Sequence, residues 1–353
     1  MITFSFYLPF LLIFVLFAVY AERKISAFMQ SRMGPMEVGP KGLFQTFADI
    51  LKMIQKENIV PKASDRLLFL IAPLIIFMAV FAGFSVLPIN NMIEGPDLDA
   101  GLFFLLAIVS LDVMGILMAG WGSNNKFSLY GAMRSVAQII SYEIPLGLSV
   151  LCVVMISQSM DINEIIRMQG IYTSGVTYLF GLSGLGIDVT DVGGLLSWNI
   201  IQNPFLIPAA LIFFISGLAE ANRAPFDLPE SESEIVGGYH TEYSGFRWAI
   251  FMLAEYGMML LIAFLTSILF FGGWNTPLPN IGPVQLATWT SGPIWGTFWL
   301  LSKTFLLVFI QMWVRWTFPR LRVDQLMTFS WKYLTPAALL LVFISGIWRL
   351  LMI

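Results

Sequence analysis

Glu220, Asp227, Glu230, Glu232, Glu234 and Glu242 crowd into one short stretch between two membrane-length apolar runs, in a chain with 22 acidic residues in all. Arg223 and Arg247 stand at the edges of the stretch. Ionisable side chains at the mouth of a bilayer span are costly unless solvated or paired, and where they occur they mark paths for protons or ions. Carboxylates this close cannot all ionise cheaply, so some are expected to share protons. A structural role competes for part of the set. Asp227-Leu228-Pro229-Glu230 has the form of a helix start, with Asp227 as the cap and Glu230 three residues on, as in a capping box. Acids in a first turn also match the helix dipole. That would account for Glu230 and Glu232, but not for Glu220 and Glu242 on the flanks.

Asp112, Glu143, Glu220 and Glu255 lie inside or at the ends of apolar runs, and Lys303 joins them. Intramembrane ionisable groups face a polar interior, where they pair or relay protons. A group that must switch protonation is suited by a site where its charged form is costly. Glu143 and Glu220 are expected to act as relays. Asp112 either pairs with Lys303 or lines a wet cavity. Arg223, Arg247 and Glu255 are further polar partners for such a path. No metal site is expected. The single Cys152 sits in an apolar run and His240 is the only histidine, so a disulfide, a zinc site, a cysteine-ligated cluster or a two-histidine haem site cannot form within this chain.

Basic residues concentrate upstream. The stretch 22–66 holds Arg23, Lys24, Arg32, Lys41, Lys52, Lys56, Lys62 and Arg66, with turns forced at Gly34-Pro35 and Gly39-Pro40. From Gly42 to Glu57, apolar Leu43, Phe44, Phe47, Ile50, Leu51 and Ile54 recur at three- and four-residue spacing. This predicts an amphipathic helix lying in the membrane interface. It is either a surface anchor or a lid over an amphipathic ligand, and in the second case Glu22, Arg23 and Arg32 are polar groups at that site.

The elements that must carry these residues follow from composition. The chain of 353 residues is 58% hydrophobic and 12% charged, against about 25% charged in soluble domains. It reads as an all-α polytopic membrane protein in one membrane domain, 1–353. A span needs roughly 20 apolar residues, which gives about eight transmembrane helices, near 2–21, 67–89, 101–121, 135–157, 203–221, 247–271, 293–316 and 333–353. The loops about 22–66, 122–134, 222–246 and 317–332, together with Arg247 and Arg315 at their edges, hold 16 of the 19 basic residues; Arg167, Lys303 and Arg349 are the exceptions. The positive-inside rule makes those loops cytoplasmic and puts both termini outside. The first 21 residues carry no charge, unlike the basic start of a signal peptide, and are expected to be a retained span. No internal repeat is evident, which weakens a stand-alone transporter of the inverted-repeat kind.

Several segments together strongly resemble the family of the H-type membrane subunit of respiratory complex I, the NADH-quinone oxidoreductase, with its mitochondrial and plastid relatives. They are Ala21-Glu22-Arg23-Lys24, Gln30 to Pro35, Val38 to Leu43, Ala48-Asp49 with Lys52, Ala119 to Lys126, Ala137 to Glu143, the whole acidic loop, and Pro319 to Met327. The resemblance implies a transmembrane subunit of a respiratory-chain translocase in the cell inner membrane, at the junction with the peripheral redox arm. Its partners would be the other membrane-arm and peripheral-arm subunits, quinone and the lipid bilayer, with no nucleic acid. It further implies a quinone chamber formed in part by the first loop and the acidic loop, and a path for proton translocation starting at buried glutamates. Carried over, Glu22, Arg23, Arg32, Asp49 and Lys52 fall to the quinone-binding side. Glu143, Glu220, Asp227, Glu230, Glu232, Glu234 and Glu242 fall to the proton side. Quinone, whether ubiquinone or menaquinone, would be a substrate. Nothing would be bound covalently, with flavin and iron–sulfur clusters only on partner subunits. Two departures stand out: Met114 where the family usually has tyrosine, with an untypical Asp112 just before it, and an apparent insertion near 171–196 in the outward loop 158–202. The alternatives are the homologous subunit of a membrane-bound hydrogenase and a stand-alone proton-coupled transporter.

Overall fold

The computed structural model describes residues 2–171, 173, 178–181, 188–228, 235–281 and 284–352. Its helices are α1 (Ile2–Met29), α2 (Gln45–Gln55), α3 (Arg66–Phe84), α4 (Gly101–Val109), α5 (Leu111–Gly122), α6 (Lys126–Ser157), α7 (Ile162–Arg167), α8 (Asn199–Gln202), α9 (Leu206–Glu220), α10 (Gly245–Phe270), α11 (Leu286–Trp289), α12 (Pro293–Thr317), α13 (Val323–Thr328) and α14 (Thr335–Met352). A π-helical segment, Phe329–Leu334, joins α13 to α14. Among the described residues, seven helical stretches are long and apolar enough to cross a membrane, counting α4–α5 and α13–α14 each as one; α9, with 15 residues, is shorter. A multi-pass all-α membrane protein is what the composition predicts.

Helix α10 is the hub. From Tyr256 onward it is buried on every side, and α1, α3, α9 and α12 pack against it. A helix apolar all round belongs inside a bundle. Two boundaries differ from expectation. Helix α1 runs eight residues beyond position 21, so Glu22 and Arg23 sit on a helix rather than at its end. Glu, Arg and Lys are good helix formers, so the helix outlasts the apolar run. Helix α6 likewise begins at Lys126 rather than near 135, capped by Asn125, whose side chain accepts from the Phe127 amide.

Prolines inside two spans tie the loops to the bundle. A helical proline removes the hydrogen bond to the carbonyl four residues earlier, and in a membrane that carbonyl needs another donor. Pro73 in α3 frees Phe69, whose carbonyl accepts from the Tyr243 hydroxyl at 3.1 Å. The Tyr243 ring lies flat on Phe69, with centroids 4.0 Å apart. Pro145 in α6 frees Ser141, whose carbonyl accepts from the Ser330 hydroxyl at 2.6 Å. Tyr142 also donates to the Leu326 carbonyl at 3.0 Å. The π-helical segment is thereby docked on the kink that carries Glu143.

The four basic loops meet at one end of the bundle. The Asp65 amide donates to Gly122, and Asn124 donates to Ala63. Asn125 donates to Glu242, the Ile59 amide to Ser244, and Arg320 pairs with Asp227. Arg167, paired with Glu94, and Lys303 are joined to other loops. At the latter, part of the 171–196 segment is tied down: the Asn280 amide donates to Val192 at 2.7 Å and Leu195 donates to Pro277 at 3.2 Å.

Candidate functional site

The end of α9 decides where the charges go. Asn222 adopts a left-handed conformation (φ 50°), the Asn222 amide donates to Ala219, and the Arg223 amide donates to Leu218. This is a Schellman stop with Asn in place of Gly. Its side-chain oxygen is used as well, accepting from Ser135 at 3.2 Å and Gln138 at 3.4 Å, while Gln138 also donates to the Ala219 carbonyl at 2.7 Å. The reversal places Glu220 and Arg223 in different surroundings although they are close in sequence.

Arg223 enters a buried ion cluster. Its Nη1 lies 3.2 Å from the Glu22 carboxylate and its Nε 2.9 Å from that of Glu255. The guanidinium also sits 4.2 Å from the centroid of the Tyr256 ring. The Tyr256 hydroxyl donates to Glu22 at 2.5 Å, and Arg315 bonds to the same carboxylate. Two arginines thus face two glutamates, and Glu22 and Arg223 are 4% and 3% exposed. Burial works against the charge on Arg223, but Glu255, Glu22 and Tyr256 outweigh it and hold its guanidinium above its usual range. A polar cavity of about 230 Å³ opens on the cluster, lined by Arg223, His240, Trp248, Glu255, Tyr256 and Arg315. Burial pushes the His240 imidazole down to about 4, so it is neutral near pH 7.

Glu220 faces the opposite way, into a cavity of about 20 Å³ shared with Asp112, Asn222, Tyr239 and Glu255. That is room for about one water. Asp112 and Glu220 are each 7% exposed, and the charged groups acting on Glu220 are the acids Glu143 and Asp112. Glu255 lines both cavities.

The other predicted residues divide. Arg23 and Asp49 meet at 2.6 Å, and Gln45 donates to Asp49 at 3.2 Å, fastening α2 to α1. The apolar residues Phe44, Phe47, Leu51 and Ile54 of this amphipathic element are exposed, as its spacing requires. Arg32 and Lys52 are exposed and apart from the cluster. Asp227 pairs with Arg320, and Glu242 accepts from Asn125 at 2.6 Å. Arg247 stands over the Phe69 ring, 5.9 Å from its centroid. Glu230, Glu232 and Glu234, with the helix start predicted there, lie outside the described residues. The pairing of Lys303 with Asp112 is not formed. Lys303 caps the far end of α10 instead, donating to the carbonyls of Phe271, Gly273 and Asn275 at 2.7, 2.9 and 2.6 Å. A cation satisfies the unpaired carbonyls of a helix C-terminus. The roles of Tyr256, Arg315 and His240 escape the sequence pattern. Only the adjacency of Tyr256 to Glu255, and an arginine at the end of the apolar α12, hint at the first two.

The fold and these cavities define a class: a multi-pass helical membrane protein with two internal polar cavities bordered by acids. Comparison narrows it. The family profile described as NADH dehydrogenase matches residues 2–346. The chain is 56% identical to the second H-type subunit of the NADH-quinone oxidoreductase of Cytophaga hutchinsonii over 354 residues, covering 97% of each. It is 52% identical to the H-type subunit of Chlorobaculum parvum, covering 94% of this chain and 87% of the relative. It is 44% identical to that of a Geobacillus species, covering 95% and 90%. The chain belongs to the H-type subunit family of NADH-quinone oxidoreductases. These relatives bear that name rather than that of a hydrogenase or a transporter.

Proposed function

We propose that this chain is the membrane subunit of a proton-translocating NADH-quinone oxidoreductase that passes the charge change of quinone reduction to the start of a proton path. The observation that carries this is Glu255, which pairs with Arg223 on one side and lines the cavity of Glu220 and Asp112 on the other. Reduction of a quinone to a quinol takes up two electrons and two protons. Electrons would arrive from flavin and iron–sulfur clusters on peripheral-arm partners. Proton uptake beside the Glu22–Arg223–Arg315 cluster disturbs its balance of charge. Glu255 then exchanges a proton through the water-sized gap with Glu220, and Glu143 carries it toward the neighbouring membrane-arm subunits. Glu22, Arg23 and Asp49 stand on the quinone side, with Arg32 and Lys52 exposed where a partner would close the chamber. The exposed apolar face of α2 fits an interfacial helix at the chamber mouth.

The charge asymmetry of the loops supports an inner-membrane protein with both termini on the outer side. An alkaline phosphatase fusion after Ile353 should be active; an inactive one sinks that orientation. The proton reading is tested by Glu220→Gln, which keeps size and hydrogen bonding but cannot ionise. The complex should assemble while quinone reduction and pumping fall together by about 10²-fold. Near-normal coupled turnover defeats the reading.

A further inference from the structure

We infer that Asp112 and Glu220 form a carboxyl pair that shares one proton across the water-sized cavity between them, so that the proton path stores its charge on two acids rather than one. This rests on the proton reading above and deepens it.

Both side chains are more than nine-tenths buried, and both border the same cavity of about 20 Å³. The Asp112 Oδ1 is buried without a hydrogen-bond partner. The ordinary role for an aspartate at this position would be local. Asp112 is in the first turn of α5, just after Ser110, where an acid can cap amide groups or answer the helix dipole. That role is not taken up: the start of α5 has no side-chain cap, and the carboxyl points into the cavity. A buried acid left unpartnered is expensive, so its place is better explained by a partner that the cavity supplies.

Among the described residues, the groups lining the cavity of the pair do not include a cation. Helix α3 presents Ile76 and Val80. Helix α10 presents Phe251, Ala254, Glu255 and Met258, and the loop presents Ala221, Asn222 and Tyr239. Glu143 acts on Glu220 from α6. Glu255 is engaged by Arg223, and the Asn222 oxygen already accepts from Ser135 and Gln138. Lys303 is held by backbone carbonyls beyond the far end of α10. Two neighbouring carboxylates in such surroundings do not both ionise, and they titrate as a unit. The resting pair then holds one proton and one negative charge. A proton from Glu255 makes both acids neutral, and loss of one proton toward Glu143 restores the single charge. The proton count balances at each step, and one water in the gap suffices to connect the oxygens.

The test uses the purified complex, with quinone reduction followed from acid to alkaline pH in Asp112→Asn, Asp112→Ala and Asp112→Glu. Removing the Asp112 charge lets Glu220 lose its proton more easily. The alkaline limb of the profile should therefore move toward acid by about one pH unit or more in the Asn and Ala variants, and Glu should return it. An unmoved limb overturns the pair, as does a limb that moves only when sodium is varied. Because the Asp112 Oδ1 holds no structural hydrogen bond, both neutral variants should assemble; failure of both would show a structural acid and overturn the pair as well. Glu220→Gln separates the two levels. If it is silent, the proton path itself fails. If it abolishes coupled turnover while Asp112→Asn leaves the profile alone, only the sharing fails.

Discussion

Two buried groups of charge lie back to back in this protein and are built on opposite principles. Around Arg223, each carboxylate has a cation: Glu22 holds Arg223 and Arg315, and Glu255 holds Arg223. Around Glu220, acid faces acid, with Asp112 across a water-sized gap and Glu143 nearby. Burial is similar in both, so pairing rather than depth sets the difference. A carboxylate held between two arginines, as Glu22 is, stays charged and fixes geometry, whereas an unpaired one exchanges a proton at modest cost, and Glu255, held by one arginine, stands between the two. The Asn222 stop of α9 makes the contrast possible, because it sends Glu220 and Arg223 into separate cavities. Glu255 belongs to both and is where they communicate.

The largest effect is expected on the paired side. Arg223→Gln strands Glu255 and leaves Glu22 with Arg315 alone, and breaking a buried pair in this way costs about 3–5 kcal/mol. It should sharply lower the amount and the thermal stability of assembled complex, while Glu220→Gln leaves both near normal. Adding Glu255→Gln to Arg223→Gln should recover part of the loss, whereas adding Glu220→Gln should recover none. Equal recovery by either would mean that the two groups are one network.

A smaller effect sharpens the unpaired side. Ser330→Ala removes the donor to the Ser141 carbonyl freed by Pro145, at a cost of about 1–3 kcal/mol for an unsatisfied buried group. The kink carrying Glu143 should loosen, lowering the melting temperature of the complex and slowing pumping several-fold. Tyr243→Phe, which unties the kink in α3, should lower the melting temperature similarly with less effect on pumping. No loss of stability in Ser330→Ala would show that the carbonyl finds another donor.

Much of this is legible in the sequence because composition and spacing are direct physical signals. Apolar runs of membrane length locate the spans, and the three-and-four spacing of Phe44, Phe47, Leu51 and Ile54 locates the amphipathic helix α2. The acids Glu143, Glu220 and Glu255 stand out because charge is rare in such runs. Pairing is not legible. Glu22 and Arg223 are remote in sequence, and only the folded bundle makes them neighbours. Lys303 and Asp112 look complementary by charge, yet Asp112 borders the first half of α10 near Phe251–Met258, while carbonyls just beyond the other end of that helix claim the lysine. The end of α1 escapes for a related reason: an apolar count stops at the first charge, but a helix need not.

The claim that the two groups differ in protonation is tested most directly by infrared difference spectra of the assembled complex, recorded as quinone is reduced. A buried carboxyl that gains or loses a proton changes its carbonyl stretch, and a permanently ionised one does not. A carboxyl band should appear that vanishes in Glu220→Gln and persists in Glu22→Gln. A band that persists in Glu220→Gln and vanishes in Glu22→Gln would contradict the claim.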